Sequence, residues 1–216
     1  MAPIELAYFC YKKDEELVRV ADTKLMPIGI KTFRDGGAKR GLAGQITSED
    51  GRDVTADSRR LFVLEWPEHS TFDSFYQSTP HFDLEKATTP FLESPAEIKL
   101  YETAGDATSL FKGETGAALW SLEIIEVKPK DADMSEEAAQ DIFQKVAEWS
   151  RSGSGSGGDA AACGTSLDPK TKEIVVIRTI SSQEPAEVDD SSRYPALAEI
   201  AEVALMKRMV AQVGLM

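Results

Sequence analysis

Two histidines, His69 and His81, are the only imidazoles in the 216-residue chain, and they bound the acid–base chemistry available near neutral pH. Neither lies in a G-x-S-x-G elbow, and no sequence pattern places an orienting carboxylate for a nucleophile–histidine pair. His69 follows Trp66-Pro67-Glu68 and reads as an exposed residue at a helix start, whereas His81 opens the next helix and is the candidate for moving a proton. Tyr8, on an apolar strand, is the second candidate, its phenol serving as donor or acid. Trp66 and Tyr76 combine a large apolar surface with a polar tip, which suits the wall of a binding site as well as a core. Alternation puts Cys10 on the same strand face as Tyr8, with Phe9 and Tyr11 opposite. Glu65 and Arg178 each interrupt an apolar strand. A lone buried charge is costly, so they are expected to pair across an interior, to contact a polar ligand, or to reach water at a strand end.

Several chemistries find no support. Cys10 and Cys163 have no second cysteine or histidine at ligand spacing, so no metal site is expected, and two free thiols suit a reducing, cytoplasmic setting. Asp14-Glu15-Glu16 and Glu136-Glu137 lack histidine companions and read as acidic helix starts. Neither Gly36-Gly37 nor the Ser/Gly stretch at 152–158 carries a P-loop or dinucleotide pattern, so no cofactor is expected. The net charge of −13 is spread evenly, −6 over residues 1–108 and −7 over the rest, which argues against nucleic acid and anionic membrane as partners. No signal peptide or apolar run of membrane-spanning length is visible.

The elements that must position these residues follow from periodicity. Ile4–Tyr11 reads as a strand, and Asp14 starts a helix that Pro27 divides. A hairpin of Gly41–Thr47 and Arg59–Trp66 follows, then a short aromatic helix over Ser70–Gln77, a helix over Thr79–Leu92 and a strand over Glu97–Thr103. This β-α-β-β-α-β order is the ferredoxin-like pattern. The second half reads similarly: a strand over Ala117–Val127, a helix capped by Ser135, a hairpin of Ala161–Leu167 and Glu173–Ser181, a helix over Arg193–Leu205 and a strand over Lys207–Leu215. With an offset of 113, Leu61–Tyr101 aligns without a gap on Ile174–Gly214, making Glu65 equivalent to Arg178. The domain reading is a first unit over 1–105, a linker over 106–116 and a second unit over 117–216.

LFVLEW and EIVVIRTI are apolar on both faces, so each sheet must be covered on both sides. The expected fold is α+β: two tandem ferredoxin-like units packed sheet to sheet within one chain. LFVLEWPEHSTFDSFYQSTPHF, an apolar strand ending in Trp, a short aromatic helix and a Ser-x-x-His helix start, resembles the dimeric α/β-barrel superfamily and its antibiotic-biosynthesis-monooxygenase-like branch. The second half departs from that motif, with Thr179 for Trp66 and Tyr194 for His81, so the halves are not expected to contribute equally to a pocket. The resemblance implies a small enzyme acting on an apolar aromatic or polyketide-like molecule by cofactor-independent oxygenation, or by decarboxylation or ring closure. His81 and Tyr8 would handle protons, and Trp66, Tyr76, Cys10, Glu65 and Arg178 would contact substrate. The alternative is a non-catalytic ligand-binding or stress-response barrel. A further homodimer is left open.

Overall fold

In the computed structural model, which describes residues 2–104, 107–111, 120–129, 134–152, 161–168, 170–180 and 203–215, side-chain alternation on the strands builds a barrel with two apolar faces. The elements of the first half are β1 (Pro3–Cys10), α1 (Glu15–Val20), α2 (Met26–Asp35), β2 (Arg40–Glu49), β3 (Arg52–Asp53), β4 (Arg59–Glu65), α3 (His69–Tyr76), α4 (Thr79–Thr88) and β5 (Glu97–Ala104). The second half contributes β6 (Trp120–Pro129), α5 (Glu136–Ser152), β7 (Ala161–Ser166), β8 (Ile174–Ile180) and β9 (Val203–Leu215).

Local chemistry explains the helix boundaries. The Asp14 carboxylate accepts the Leu17 N–H at 2.9 Å and starts α1, and Ser135 accepts the Ala138 N–H at 3.2 Å at the start of α5. Pro27 divides the first helical stretch as expected. A π-helical segment, Ala21–Leu25, absorbs the break, and Pro27 then falls in the first turn of α2, where its missing N–H costs least.

The sheet runs β3-β2-β4-β1-β5-β7-β8-β6-β9, and β2 also pairs with β9, so eight strands close a ring with the short β3 attached to β2. Every strand pairing is antiparallel. This corrects the expectation of two units stacked sheet to sheet. The strands of the two halves are joined edge to edge, β5 to β7 and β2 to β9, into one closed antiparallel barrel, so no face of one sheet lies on a face of another. The fold remains α+β. Closure satisfies the backbone of every edge strand within the ring, which two separate sheets would leave unpaired.

The barrel interior is occupied by Ile4, Leu6, Leu61, Val63, Leu122, Ile124, Val175 and Ile177 among others. The helix-side face of β1 and β4 carries Ala7, Phe62, Leu64 and Trp66. Across the barrel, α5 lays Phe143, Val146 and Ala147 on Ile125, Val127 and Val176. These assignments overturn the gap-free repeat at 113 residues. Val63 faces the interior while its proposed counterpart Val176 faces α5, and Phe62 faces helices while Val175 faces inward. The two strands are out of phase by one residue, and such a slip exchanges every side chain between faces.

Other boundaries moved as well. β9 begins at Val203, so the helix expected over Arg193–Leu205 does not reach its proposed end, and residues 193–202 lie outside the described residues, as do residues 153–158 of the Ser/Gly stretch. Within the stretch read as a linker, Ala107–Phe111 forms a 3-10 turn whose Leu110 and Phe111 are buried in the barrel cluster.

The closing seam carries a test. A Cβ on Gly44 would sit 1.9 Å from the Gln212 carbonyl oxygen of β9, a contact with backbone that cannot swing aside. Gly44→Ala is expected to lower stability by about 1–3 kcal/mol through forced separation of β2 and β9. Urea denaturation checks it, and an unchanged midpoint would contradict the seam.

Candidate functional site

The two-faced apolar strands place the candidate site outside the barrel. Between the outer face of β1, β4 and β5 and the helices α2 and α4 lies a cavity of about 580 Å³. This volume falls in the range that holds a drug-sized ligand, roughly 300–1,000 Å³. Phe9, Phe62 and Ile98 form its strand side, while Met26, Phe33 and Leu84 line the helical side. Phe9 and Phe33 both meet Phe62 edge to face, at 5.2 and 5.6 Å between ring centroids, which fixes the wall.

His81 enters this wall through the capping of α4. Ser78 is the N-cap and accepts the His81 N–H, and Pro80 pre-forms the first turn, so the imidazole projects from the third helical position. Its ring lies 4.2 Å from that of Tyr76 and 5.3 Å from that of Phe75. Its Nδ1 is buried, with no hydrogen-bond partner at full geometry among the described residues. Burial pushes the imidazole below its usual pKa, partly opposed by Glu85 one turn further along α4 and by the backbone of Tyr76. The helix N-terminus acts in the same direction as burial. The ring is therefore neutral at pH 7 with a nitrogen able to accept a proton.

Tyr76, at the end of α3, also lines the cavity, and its hydroxyl is held from behind. It donates to the Glu5 carboxylate in a short hydrogen bond, and the Trp66 indole N–H donates to the other Glu5 oxygen at 2.8 Å. Glu5 is completely buried on β1. Burial pushes its pKa from the ordinary carboxylate value up to about 7, against the lowering effect of its two donors. Burial, together with the Glu5 carboxyl group beside it, drives the Tyr76 phenol well above its usual value.

Glu5 was not singled out by sequence reasoning, although its signal was present. It is a carboxylate inside the apolar run PIELAYFC, on the face of Ala7 and Phe9, which is the same argument that picked out Glu65. A carboxyl whose folded pKa exceeds its unfolded value binds its proton more tightly when folded, so stability falls as pH rises from about 4.5 through about 7. The full swing is about 3 kcal/mol. Glu5→Gln, which keeps an acceptor for Trp66, is expected to flatten the urea-measured stability profile across that window. An identical slope in the variant would contradict the raised carboxyl.

The structure brings together only part of the expected set. Tyr76 and His81 share the cavity wall. Trp66 is fully buried behind it and contributes through Glu5 rather than by lining it. Tyr8 faces the barrel interior, where its hydroxyl donates to Glu126 at 2.9 Å within a polar cluster that includes Lys99, Tyr101 and Glu173. Tyr8 and His81 thus lie on opposite sides of β1. Cys10 turns its thiol to Glu93 at 3.4 Å, and Phe9 and Tyr11, on the opposite strand face, line the cavity instead. Glu65 faces inward beside Ile4 and pairs with Lys39 at 3.0 Å and Arg40 at 3.5 Å. Arg178 faces the other way and pairs with Glu123 on β6. The one-residue slip between β4 and β8 is why Glu65 and Arg178 do not meet. His69 is exposed and lies 3.6 Å from Asp73. Among the described residues, no group of three or more His, Cys, Asp or Glu side chains is arranged to hold a metal ion, and no helix is long and apolar enough to cross a membrane.

No family model and no curated protein matches the sequence. Solved structures do match the fold. A candidate monooxygenase from Lactobacillus acidophilus aligns with 100% of this chain and 94% of its own at 15% identity and a TM-score of 0.55. A candidate monooxygenase from Fusobacterium nucleatum aligns over 98% and 92% at 13% identity and 0.61. An anthrone oxidase-like protein aligns over 98% and 91% at 12% identity and 0.59. At such identities the likeness is one of fold.

Proposed function

We propose that this chain is a small-molecule enzyme that takes an apolar aromatic or polyketide-like substrate into the cavity between barrel and helices and promotes its oxygenation without a bound cofactor. The observation that carries the reading is a single one: an aromatic-lined cavity of about 580 Å³ whose wall holds a neutral imidazole beside a phenol. The aromatic wall orients a flat substrate and excludes water. The His81 imidazole accepts the acidic proton of a phenol or of a methylene between two aromatic rings. The Tyr76 ring lies tilted against the imidazole, and Glu5 fixes the position of the Tyr76 hydroxyl. The resulting anion is electron-rich enough to reduce dioxygen directly. For an activated methylene the balance is one dioxygen consumed, the methylene converted to a carbonyl, and the second oxygen atom released as water. The fold-level likeness to an anthrone oxidase-like protein makes anthrones the first substrates to try.

The test is oxygen uptake by the purified protein with anthrone and with dihydroxynaphthalenes, with product identified by mass. Uptake above the uncatalysed rate, with one oxygen atom retained in the product, is expected. Binding of these compounds with no uptake would defeat the enzymatic reading and leave a ligand-binding barrel.

A further inference from the structure

The cavity is unusual in its charge. The side chains that line it include Glu85 on α4 and Glu93 after it, and no lysine or arginine. Neither carboxylate is engaged in an ion pair among the described residues, whereas two nearby arginines are paired with other carboxylates, although Arg60 also lies over the Tyr11 ring at 5.7 Å. Arg60 holds Asp22 at 2.7 Å, Arg59 is paired with Glu49, and Lys12, next to the cavity residue Tyr11, donates to the Pro90 carbonyl at 2.7 Å. The remaining polar groups are Tyr11, Tyr76, His81, Thr88, Thr89 and Ser94, which offer hydrogen bonds to neutral partners. A carboxylate, sulfate or phosphate entering this space would lose its hydration without meeting a counter-ion and would face two like charges.

We propose that Glu85 and Glu93 make the cavity selective by charge, so that its ligands are neutral or cationic aromatic molecules and anionic ones are rejected. This rests on the reading that the cavity is the ligand site. It narrows the substrate class to phenols, quinols, anthrones and aromatic amines, and removes aromatic acids and their phosphorylated or sulfated conjugates. The reaction that supplies the substrate must therefore deliver it with any carboxylate already lost or masked. The net charge of −13 acts in the same direction at long range, and the local glutamates act on the bound ligand.

Three naphthalenes of matched size separate these claims: 1-naphthol, 1-naphthoate and 1-naphthylmethylammonium, titrated calorimetrically at pH 7 into the full chain. The expected order has naphthoate at least about tenfold weaker than naphthol, with the ammonium compound at least as tight as naphthol. In an E85Q/E93Q double variant the gap between naphthol and naphthoate is expected to shrink to within about threefold, with naphthol affinity kept. Equal binding of naphthol and naphthoate to the unaltered protein, or a gap that survives in the double variant, would overturn charge selection. Gly29→Leu locates the binding, because a side chain at Gly29 points at Phe62 and Leu84 across the cavity. If naphthol does not bind, or binds Gly29→Leu undiminished, the cavity reading falls and the selectivity with it. If both naphthol and naphthoate bind equally and both are lost in Gly29→Leu, the cavity reading stands and only the selectivity falls.

Discussion

His81→Ala is expected to lower kcat for any oxygenated substrate by about 10²–10⁴-fold while leaving binding of that substrate within a few-fold, because removing a positioned base typically costs that much. The effect is large because the imidazole lies in the cavity wall and is neutral at pH 7. The same argument sets the pH profile. Burial lowers the imidazole pKa from 6.5, so the base stays unprotonated further into acid than a solvent-exposed histidine. The acid limb of kcat/KM should fall below pH 6.5, and His81→Ala should remove it. Steady-state oxygen uptake between pH 4.5 and 8 measures both. A rate unchanged by His81→Ala would take the proton-handling role away from this residue. Circular dichroism distinguishes that outcome from misfolding, which is not expected because α4 is capped by Ser78 and not by the imidazole.

Trp66→Ala is expected to be the most damaging single change to stability, about 3–5 kcal/mol by guanidinium denaturation. Trp66 has no exposed surface, meets Phe72 and Phe75 at 5.8 and 5.4 Å between ring centroids, and donates its indole N–H to Glu5. Truncation therefore opens a cavity and leaves a buried carboxyl short of a donor, two penalties that add. Trp66→Phe keeps most of the packing and loses the donor, so it should cost distinctly less. Its residual cost isolates the hydrogen bond. Since Trp66 acts on the site through Glu5 and Tyr76, the phenylalanine variant should also shift how ligand affinity depends on pH near 7, the value to which burial raises Glu5. Equal costs for the two substitutions would mean that packing alone explains Trp66.

Much of the element order was legible because apolar alternation and capping are local signals. The hairpin of β2 and β4, the Ser78 and Ser135 caps, the division of the first helix at Pro27 and the β7–β8 hairpin all follow from neighbours within a few residues. Barrel closure was not legible, because the β2–β9 and β5–β7 pairings join distant segments and edge-to-edge partners leave no mark on the pattern of either strand. The phase of β8 escaped for a related reason. LFVLEW and EIVVIRTI are apolar on both faces, so a one-residue shift costs the pattern nothing while reversing which residues face inward. That ambiguity misplaced Arg178 and left Tyr8 undecided between a site and a core. Trp66, Tyr76 and His81 come close together because all three lie on one continuous local segment running into α3 and α4. Glu5 lay outside that segment, and only the β1–β4 pairing brings it under Trp66.

The central claim is that the cavity outside the barrel, and not the barrel interior, receives an aromatic molecule against His81. The most direct measurement is a crystal structure of the protein soaked with 1-naphthol or with an anthraquinone too oxidised to turn over. The expected result places the ring system between Phe62 and Leu84, with a ligand oxygen about 3 Å from the His81 imidazole. Ligand density beside Tyr8 and Glu126 inside the barrel, with this cavity empty, would contradict the account.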